Sequence, residues 1–148
     1  MITTEQWSHW KPLEELPRKF LIKNSYDSKE KLEIKLYNDD PLDKNFKQKH
    51  EQIMRIIFPH PIVFYKQVDE YCSVEDTEDL KIQYGKDFVY QSSFFKVTNS
   101  KYLQLLAEES GSTGQELQLS HFVILDFNSR VDIITTQEPL VEWIEYAD

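Results

Sequence analysis

The sequence predicts an α+β fold: a single domain, mainly antiparallel sheet, with one or two short helices packed on it. Three observations support this class. Several segments alternate apolar and polar residues with the period of a strand, a later segment has the period of a helix, and turn-forming residues separate neighbouring segments. The 148 residues suffice for one core, and no linker, repeat or low-complexity tract divides residues 1–148 further.

The first half of the chain predicts four antiparallel strands. Two of them place apolar residues on one face: Phe20, Ile22 and Tyr26 in KFLIKNSY, and Leu32, Ile34 and Leu36 in KLEIKLY. The DSKE between them suits a hairpin turn. The other two strands are QIMRIIF and IVFYKQV, which Pro59-His60-Pro61 separates because proline interrupts a ladder. The polar, turn-rich segment 38–50 predicts an exposed loop.

The second half predicts two helices among further strands. EDTEDLKIQYGKDF begins with acidic residues, which favour a helix N-terminus. In NSKYLQLLAEESGS, Asn99 or Ser100 can cap a second helix and Gly111 can end it. SSFFKVT predicts a strand before that helix, and HFVILDF and VDIITT predict a hairpin after it. EPLVEWIEY predicts a last helical turn or two, and the strands are expected to pair with near neighbours.

The charge of the chain is negative and unevenly distributed. The net charge is -9, with +1 in residues 1–65 and -10 in residues 66–148. Nucleic acids and anionic membranes bind basic surfaces, so this distribution disfavours both as direct partners. It favours a cationic protein partner, with good solubility as the simpler explanation.

The compartment expected from the sequence is the cytoplasm. The N-terminal residues are too polar for a signal peptide, and no apolar run approaches the roughly 20 residues that span a bilayer. A single cysteine cannot form an internal disulfide, which fits a reducing compartment.

The most acidic stretch of the chain is VDEYCSVEDTEDL, residues 68–80. Such a stretch is a candidate for metal binding, acid/base chemistry or contact with a basic partner. Calcium loops place oxygens at alternate positions around a glycine, a pattern that Tyr71, Cys72 and Val74 interrupt. An exposed acidic loop is the favoured structural interpretation. Its six carboxylates are Asp69, Glu70, Glu75, Asp76, Glu78 and Asp79.

The sequence has no recognisable catalytic or metal motif. Cys72 could act as a nucleophile with His50, His60 or His121 as its base, but a lone cysteine is more often a small buried hydrophobe. The spacing of these residues does not match a zinc site, and there is no glycine-rich phosphate loop. We therefore expect no enzyme activity, no metal and no cofactor.

The tryptophans and one histidine have structural as well as functional interpretations. Trp7 and Trp10 fit core packing at the N-terminus, although tryptophans also dominate protein interfaces. His121 starts a strand whose face carries Val123 and Leu125, which favours a buried histidine with satisfied hydrogen bonds. Trp143, together with the six carboxylates of residues 68–80, completes the predicted partner-binding set.

Three stretches share an order of motifs with a known group of proteins. In YKQVDEYC a strand ends in an acidic pair. In SSFFKVTNSKYLQLLAEES an aromatic strand runs into an N-S-x-Y-L helix, and in LSHFVILDFNSRVDIITTQEP an H-[FY]-x-[IV] strand precedes a V-[DE]-[IV]-[IL] hairpin. Together they resemble small acidic bacterial immunity proteins, or antitoxins, that accompany secreted polymorphic toxins of the Gram-positive type. The resemblance covers most of residues 60–139, leaves 1–59 unmatched, and carries over no binding residues.

The resemblance implies that the chain neutralises a cognate toxin by stoichiometric binding. Nuclease toxins present a basic substrate cleft, and an acidic inhibitor can mimic phosphates while charge accelerates capture. The acidic stretch would then occupy the cationic surface of the toxin. The alternative is an enzyme or small-ligand domain whose site is assembled from residues distant in sequence.

Overall fold

The computed structural model describes residues 5–13, 16–40, 42–43, 52–69, 74–110, 119–126 and 129–145. These residues form nine strands, two α-helices and one short 3-10 helix. The strands are β1 Gln6–His9, β2 Phe20–Asp27, β3 Lys31–Asn38, β4 Gln52–Pro59, β5 Phe64–Asp69, β6 Phe94–Thr98, β7 Ser120–Leu125, β8 Ser129–Thr135 and β9 Leu140–Glu145. The helices are α1 Val74–Tyr84, the 3-10 helix Phe88–Tyr90 and α2 Lys101–Ser110. The α+β class predicted from the sequence is confirmed.

The strands form two antiparallel sheets. The five-stranded sheet has the order β1-β6-β7-β8-β5, and the four-stranded sheet has the order β2-β3-β4-β9. The predicted hairpins β2-β3 and β7-β8 are confirmed. The prediction that strands pair with near neighbours is wrong for three pairs, because β1 pairs with β6, β4 with β9 and β5 with β8. The chain changes sheets after Pro59, so β5 pairs with β8 and the far side of β4 is left for β9.

The core lies between the two sheets and comes from one face of each alternating strand. The four-stranded sheet contributes Phe20, Leu32, Ile34, Leu36, Met54, Ile56 and Phe58, and the five-stranded sheet contributes Phe94, Phe122, Ile124, Val131 and Ile133. Aromatic rings meet across the interface, with the centroids of Phe58 and Phe122 5.4 Å apart. The strict alternation of KLEIKLY therefore places its apolar face in this core, as predicted.

The prediction that Tyr26 shares the face of Phe20 and Ile22 is wrong. The register of β2 shifts between Ile22 and Asn24, and such a bulge moves the following side chains to the other face. Tyr26 is therefore 66% exposed. Ser25 instead turns toward β5, where its hydroxyl donates to the side-chain oxygen of Gln67 at 2.8 Å.

The predicted helical turn in EPLVEWIEY is also wrong, because residues 140–145 form strand β9. Valine, tryptophan and isoleucine favour strands, and the far side of β4 offers a complete row of backbone partners. Val141 packs against the core and pairs with Ile56. Trp143 pairs with Met54, and its ring centroid lies 6.0 Å from that of Phe20.

The outer face of the five-stranded sheet carries a second apolar layer. Its buried residues are Trp7, Leu80, Val89, Phe95, Val97, Val123 and Leu125. Leu80 comes from α1 and Val89 from the 3-10 helix, so these two elements cover the sheet. None of the helices in the described part of the chain is long and apolar enough to cross a membrane.

The predicted exposed loop 38–50 is partly buried. Asn38 and Asp40 are each 4% exposed, while residue 41 and residues 44–50 lie outside the described residues. Arg18 donates to both carboxylate oxygens of Asp40 at 3.0 Å. The polar composition of the segment suggested exposure, but the two hydrogen bonds from Arg18 allow the Asp40 carboxylate to be buried.

Candidate functional site

Four polar side chains form a continuous hydrogen-bonded chain on the outer face of the five-stranded sheet. The Oγ of Ser100 lies 2.7 Å from Nδ1 of His121, and Nε2 of His121 lies 2.8 Å from Oδ1 of Asp132. Arg130 donates from Nε and Nη2 to the two oxygens of Asp132 at 2.9 and 3.0 Å. We call these four residues the buried polar network.

Local structure brings these side chains together. His121 on β7 and Asp132 on β8 occupy neighbouring, diagonally related positions, because His121 pairs with Ile134 while Val123 pairs with Asp132. Ser100 directly follows Asn99, whose φ of 53° lies in the left-handed region that asparagine tolerates. This turn leads from β6 into α2 and directs Ser100 toward the sheet.

The hydrogen-bond partners assign the protons within the buried polar network. Ser100 Oγ accepts the Leu103 N–H at 3.1 Å as the cap of α2, so its own proton can point at Nδ1 of His121. His121 then donates from Nε2 to Asp132. Burial raises the pKa of Asp132, but hydrogen bonds from His121 and Arg130 outweigh it and hold that pKa below its ordinary value.

The arrangement contains a serine, a histidine and an aspartate, as in nucleophilic relays. Ser100, His121 and Asp132 are only 1%, 2% and 2% exposed. The hydroxyl also serves as a helix cap, and the ring of Tyr102 covers His121 with its centroid 5.9 Å away. A nucleophile must reach its substrate, so the geometry assigns the network to holding α2 on the sheet.

The second half of the predicted acidic stretch belongs to a helix. An exposed loop is therefore wrong for residues 74–80, whereas the helix predicted in this region is confirmed as α1. Glu75, Glu78 and Asp79 belong to this helix. Glu78 is exposed. Asp69 ends β5, Asp76 lies in the first turn of α1, and Glu70 and Cys72 lie outside the described residues.

The opposite side of α1 is fastened to the sheet. Leu80 is 7% exposed within the outer apolar layer. The hydroxyl of Tyr84 accepts the backbone N–H of Trp7 at 2.8 Å, and its ring stacks on Phe88 at 4.6 Å between centroids. Ile82, in contrast, is 75% exposed. Ile82 lies four positions after the exposed Glu78, so the helix presents an apolar and an acidic side chain to solvent on the same side.

The three tryptophans have different environments. Trp7 is 7% exposed, with the Arg130 guanidinium 5.2 Å from its ring centroid. Trp10 packs against the core, 4.8 Å from Phe122 between centroids. The core interpretation is confirmed for both. Trp143 on β9 is 37% exposed, so its ring spans the core and the surface.

Of the histidines predicted as possible bases, the two that the structure describes, His60 and His121, have separate surroundings. His50 lies outside the described residues, and His121 is buried in the polar network, which confirms the satisfied histidine. Nε2 of His60 lies 2.7 Å from Oδ1 of Asp27, on the wall of an open cleft of about 850 Å³ whose other lining residues include Tyr26, Lys29 and Ile62. The His60 imidazole and the Asp27 carboxylate therefore bind each other.

Among the described residues, no group of three or more histidine, cysteine, aspartate or glutamate side chains is arranged to hold a metal ion. No family model, curated protein or solved structure matches the chain.

Sequence reasoning missed that Ser100, His121 and Asp132 belong together. Two signals were present: a carboxylate between the apolar residues Val131 and Ile133, and a histidine at a buried strand position. Each signal is local, whereas their alignment depends on the register between β7 and β8. The register is a property of the folded hairpin and cannot be read from either strand alone.

Proposed function

We propose that this protein is an immunity protein, or antitoxin, that binds a cognate bacterial toxin stoichiometrically and blocks it. The partner is a protein with a basic surface, such as the substrate cleft of a nuclease-type effector. The protein works in the cytoplasm, without a cofactor and without chemistry of its own. The resemblance of residues 60–139 to small acidic immunity proteins agrees with this proposal.

The exposed side of α1 is the observation that carries the proposal. Its exposed residues include Glu78 and the strongly exposed Ile82, and the helix contains four of the acidic residues that give residues 66–148 a net charge of -10. Interfaces commonly combine an apolar centre with a polar rim. Charge on such a rim steers association with an oppositely charged partner.

The way α1 is held supports binding by a preorganised surface. Leu80 and Tyr84 anchor one side of the helix, so the other side is presented without first having to fold. Preorganisation lowers the entropy cost of association. The hydroxyl that could otherwise suggest catalysis, that of Ser100, already serves as the cap of α2.

Coexpression tests the proposal directly. A tagged copy of the chain is produced together with the protein encoded immediately upstream of its gene. We expect a one-to-one complex by size-exclusion chromatography with light scattering, and survival of cells in which the upstream protein alone stops growth.

Two controls make the result specific. The Cys72→Ser variant should protect cells as well as the unmodified chain does, since no nucleophile is needed. Loss of protection by folded Cys72→Ser, or an upstream product that neither binds nor harms cells, would count against the proposed function.

A further inference from the structure

The four edge strands of the two sheets differ in how they are covered. An edge strand offers a row of backbone N–H and C=O groups to another strand, so proteins usually shorten, bend or cover it. In the described residues the edges are β1 and β5 in one sheet and β2 and β9 in the other.

Three of these edges are blocked. Strand β1 has four residues, and its Trp7 N–H is bound by Tyr84. Strand β2 contains a bulge, and two of its N–H groups donate to side chains: Phe20 to Ser93 Oγ at 2.9 Å and Ile22 to Asp126 Oδ2 at 3.0 Å. Strand β5 carries the exposed Lys66, and a lysine on an edge strand discourages pairing with another strand.

In the part of the chain that the structure describes, no bulge, lysine or side-chain hydrogen bond protects strand β9 in this way. It is six residues long, and its register with β4 is continuous from Gln52↔Glu145 to Ile57↔Leu140. Within the described residues its other side pairs with no strand. Leu140 and Trp143 lie on opposite faces of the strand and are 57% and 37% exposed. The edge therefore offers apolar contacts on both faces.

The charge around β9 specifies the chemistry of a partner. Residues 133–145 contain the three carboxylates Glu138, Glu142 and Glu145 and no lysine, arginine or histidine. Glu142 pairs with Arg55, which also faces Glu33 at 3.5 Å, and Glu138 lies 3.6 Å from Lys96. Counting these partners, the acidic residues still outnumber the basic ones, so a basic segment is complementary to this edge.

We propose that β9 is a strand-addition site, where the partner contributes an extended segment that alternates lysine or arginine with apolar residues. The inference rests on the proposed function and names, in addition to the α1 surface, a second surface and the partner segment that it would bind. Backbone hydrogen bonds would supply affinity, as in other cases of strand addition. On one face of β9 the apolar side chains of the segment would contact Leu140, while on the other face its cations would lie beside Trp143 and Glu145.

Hydrogen exchange followed by mass spectrometry separates strand addition from other modes of binding. The probe is the upstream-encoded protein bound to the full chain. In the free chain about half of the β9 amides point away from β4 and exchange fast, because alternate residues of an edge strand have no partner. We expect these amides to exchange at least ten-fold more slowly in the complex.

A charge-reversal pair provides the matched control. Glu145→Lys changes an exposed residue at the edge, and Glu108→Lys changes an exposed residue of α2 on the other sheet. We expect Glu145→Lys to slow association about ten-fold at low salt and Glu108→Lys to change it less than two-fold.

The outcomes distinguish the two proposals. Protected β9 amides together with slower association of Glu145→Lys support strand addition. A stable complex in which the β9 amides exchange as in the free chain overturns strand addition and leaves the proposed function standing. The absence of any complex overturns both.

Discussion

The two faces of the five-stranded sheet are built from the same strands with different chemistry. The inner face is entirely apolar at Phe94, Phe122, Ile124, Val131 and Ile133. The outer face mixes apolar residues with the buried polar network. In β8, Asp132 stands between Val131 and Ile133, so adjacent residues of one strand face a dry core and a buried ion pair.

This difference predicts how each face responds to substitution. On the inner face a smaller side chain leaves a cavity, and the cost grows with the volume removed. On the outer face the loss of one member takes a hydrogen bond away from buried polar groups, and that cost exceeds the net value of the bond itself. The polar network should therefore be the more fragile of the two layers.

The largest effect is expected for Asp132→Ala. The change leaves His121 buried and removes the carboxylate that Arg130 binds through two nitrogens. Breaking a buried pair from one side typically costs about 3–5 kcal/mol. Urea unfolding followed by circular dichroism should show a loss of that size in the free energy of unfolding.

A combined variant sharpens this prediction. Replacing His121 by Leu, Arg130 by Met and Asp132 by Val removes all the charges together, and such replacements are often close to neutral. The triple variant should be more stable than Asp132→Ala. If Asp132→Ala lost less than about 1 kcal/mol, the polar network would not hold the outer layer in the way described.

A smaller effect is expected for Ser100→Ala. The substitution removes both the cap of α2 and the hydrogen bond to Nδ1 of His121, and loss of a cap costs about 0.5–2 kcal/mol. Hydrogen exchange should show faster opening of α2 while the strand amides change little. Uniformly faster exchange across both sheets would mean that α2 and the sheets unfold as one unit.

A similar or smaller cost is expected on the inner face for Ile133→Val. Removing one buried methylene group costs about 0.5–1.5 kcal/mol, although Ile133 is next to Asp132 in the same strand. Urea unfolding under the conditions used for Asp132→Ala makes the two values directly comparable. A loss for Ile133→Val equal to that of Asp132→Ala would remove the distinction between the two faces.

The smallest effect concerns acid stability at Asp40. Its hydrogen bond from Arg18 lowers the pKa from 3.8 to about 2, and the backbone N–H groups of Arg18 and Leu42 add to this against the opposing effect of burial. A depressed carboxylate pKa stabilises the fold above the unfolded pKa, and this contribution is lost as the pH falls from about 4 to 2. Arg18→Met should therefore flatten the loss of stability in that window.

Equal slopes for Arg18→Met and the unmodified chain between pH 4 and 2 would contradict that assignment. Arg18 is half exposed, with 49% of its side chain accessible, so solvent screens this pair more than it screens the buried polar network. Comparing Asp40 with Asp132 therefore distinguishes a solvent-screened ion pair from a buried one.

Local patterns in the sequence predicted most of the elements. The alternation of β3, the cap at Ser100 and the acidic start of α1 each depend on residues within a few positions, and each is confirmed. The errors arose where a distant strand decides the structure. β9 is a strand because β4 offers it an edge, and Tyr26 is exposed because a bulge shifts the register of β2.

The candidate site was harder to predict for the same reason. His121 was correctly interpreted as buried and satisfied, but its partners Ser100 and Asp132 reach it only through the register of β7 with β8 and the turn into α2. The acidic residues of α1, in contrast, could be identified from the sequence without knowing the fold. That these residues contact a partner is part of the proposed function.

The proposed role of the acidic α1 surface is tested most directly by association kinetics with the upstream-encoded protein at several salt concentrations. The variant replaces Glu75 and Glu78 by Gln and Asp76 and Asp79 by Asn, which removes four charges with little change in shape. We predict association about ten-fold slower at low salt, with most of the difference gone near 0.5 M salt, where the Debye length is about 4 Å. Association rates equal to those of the unmodified chain at every salt concentration would contradict the account.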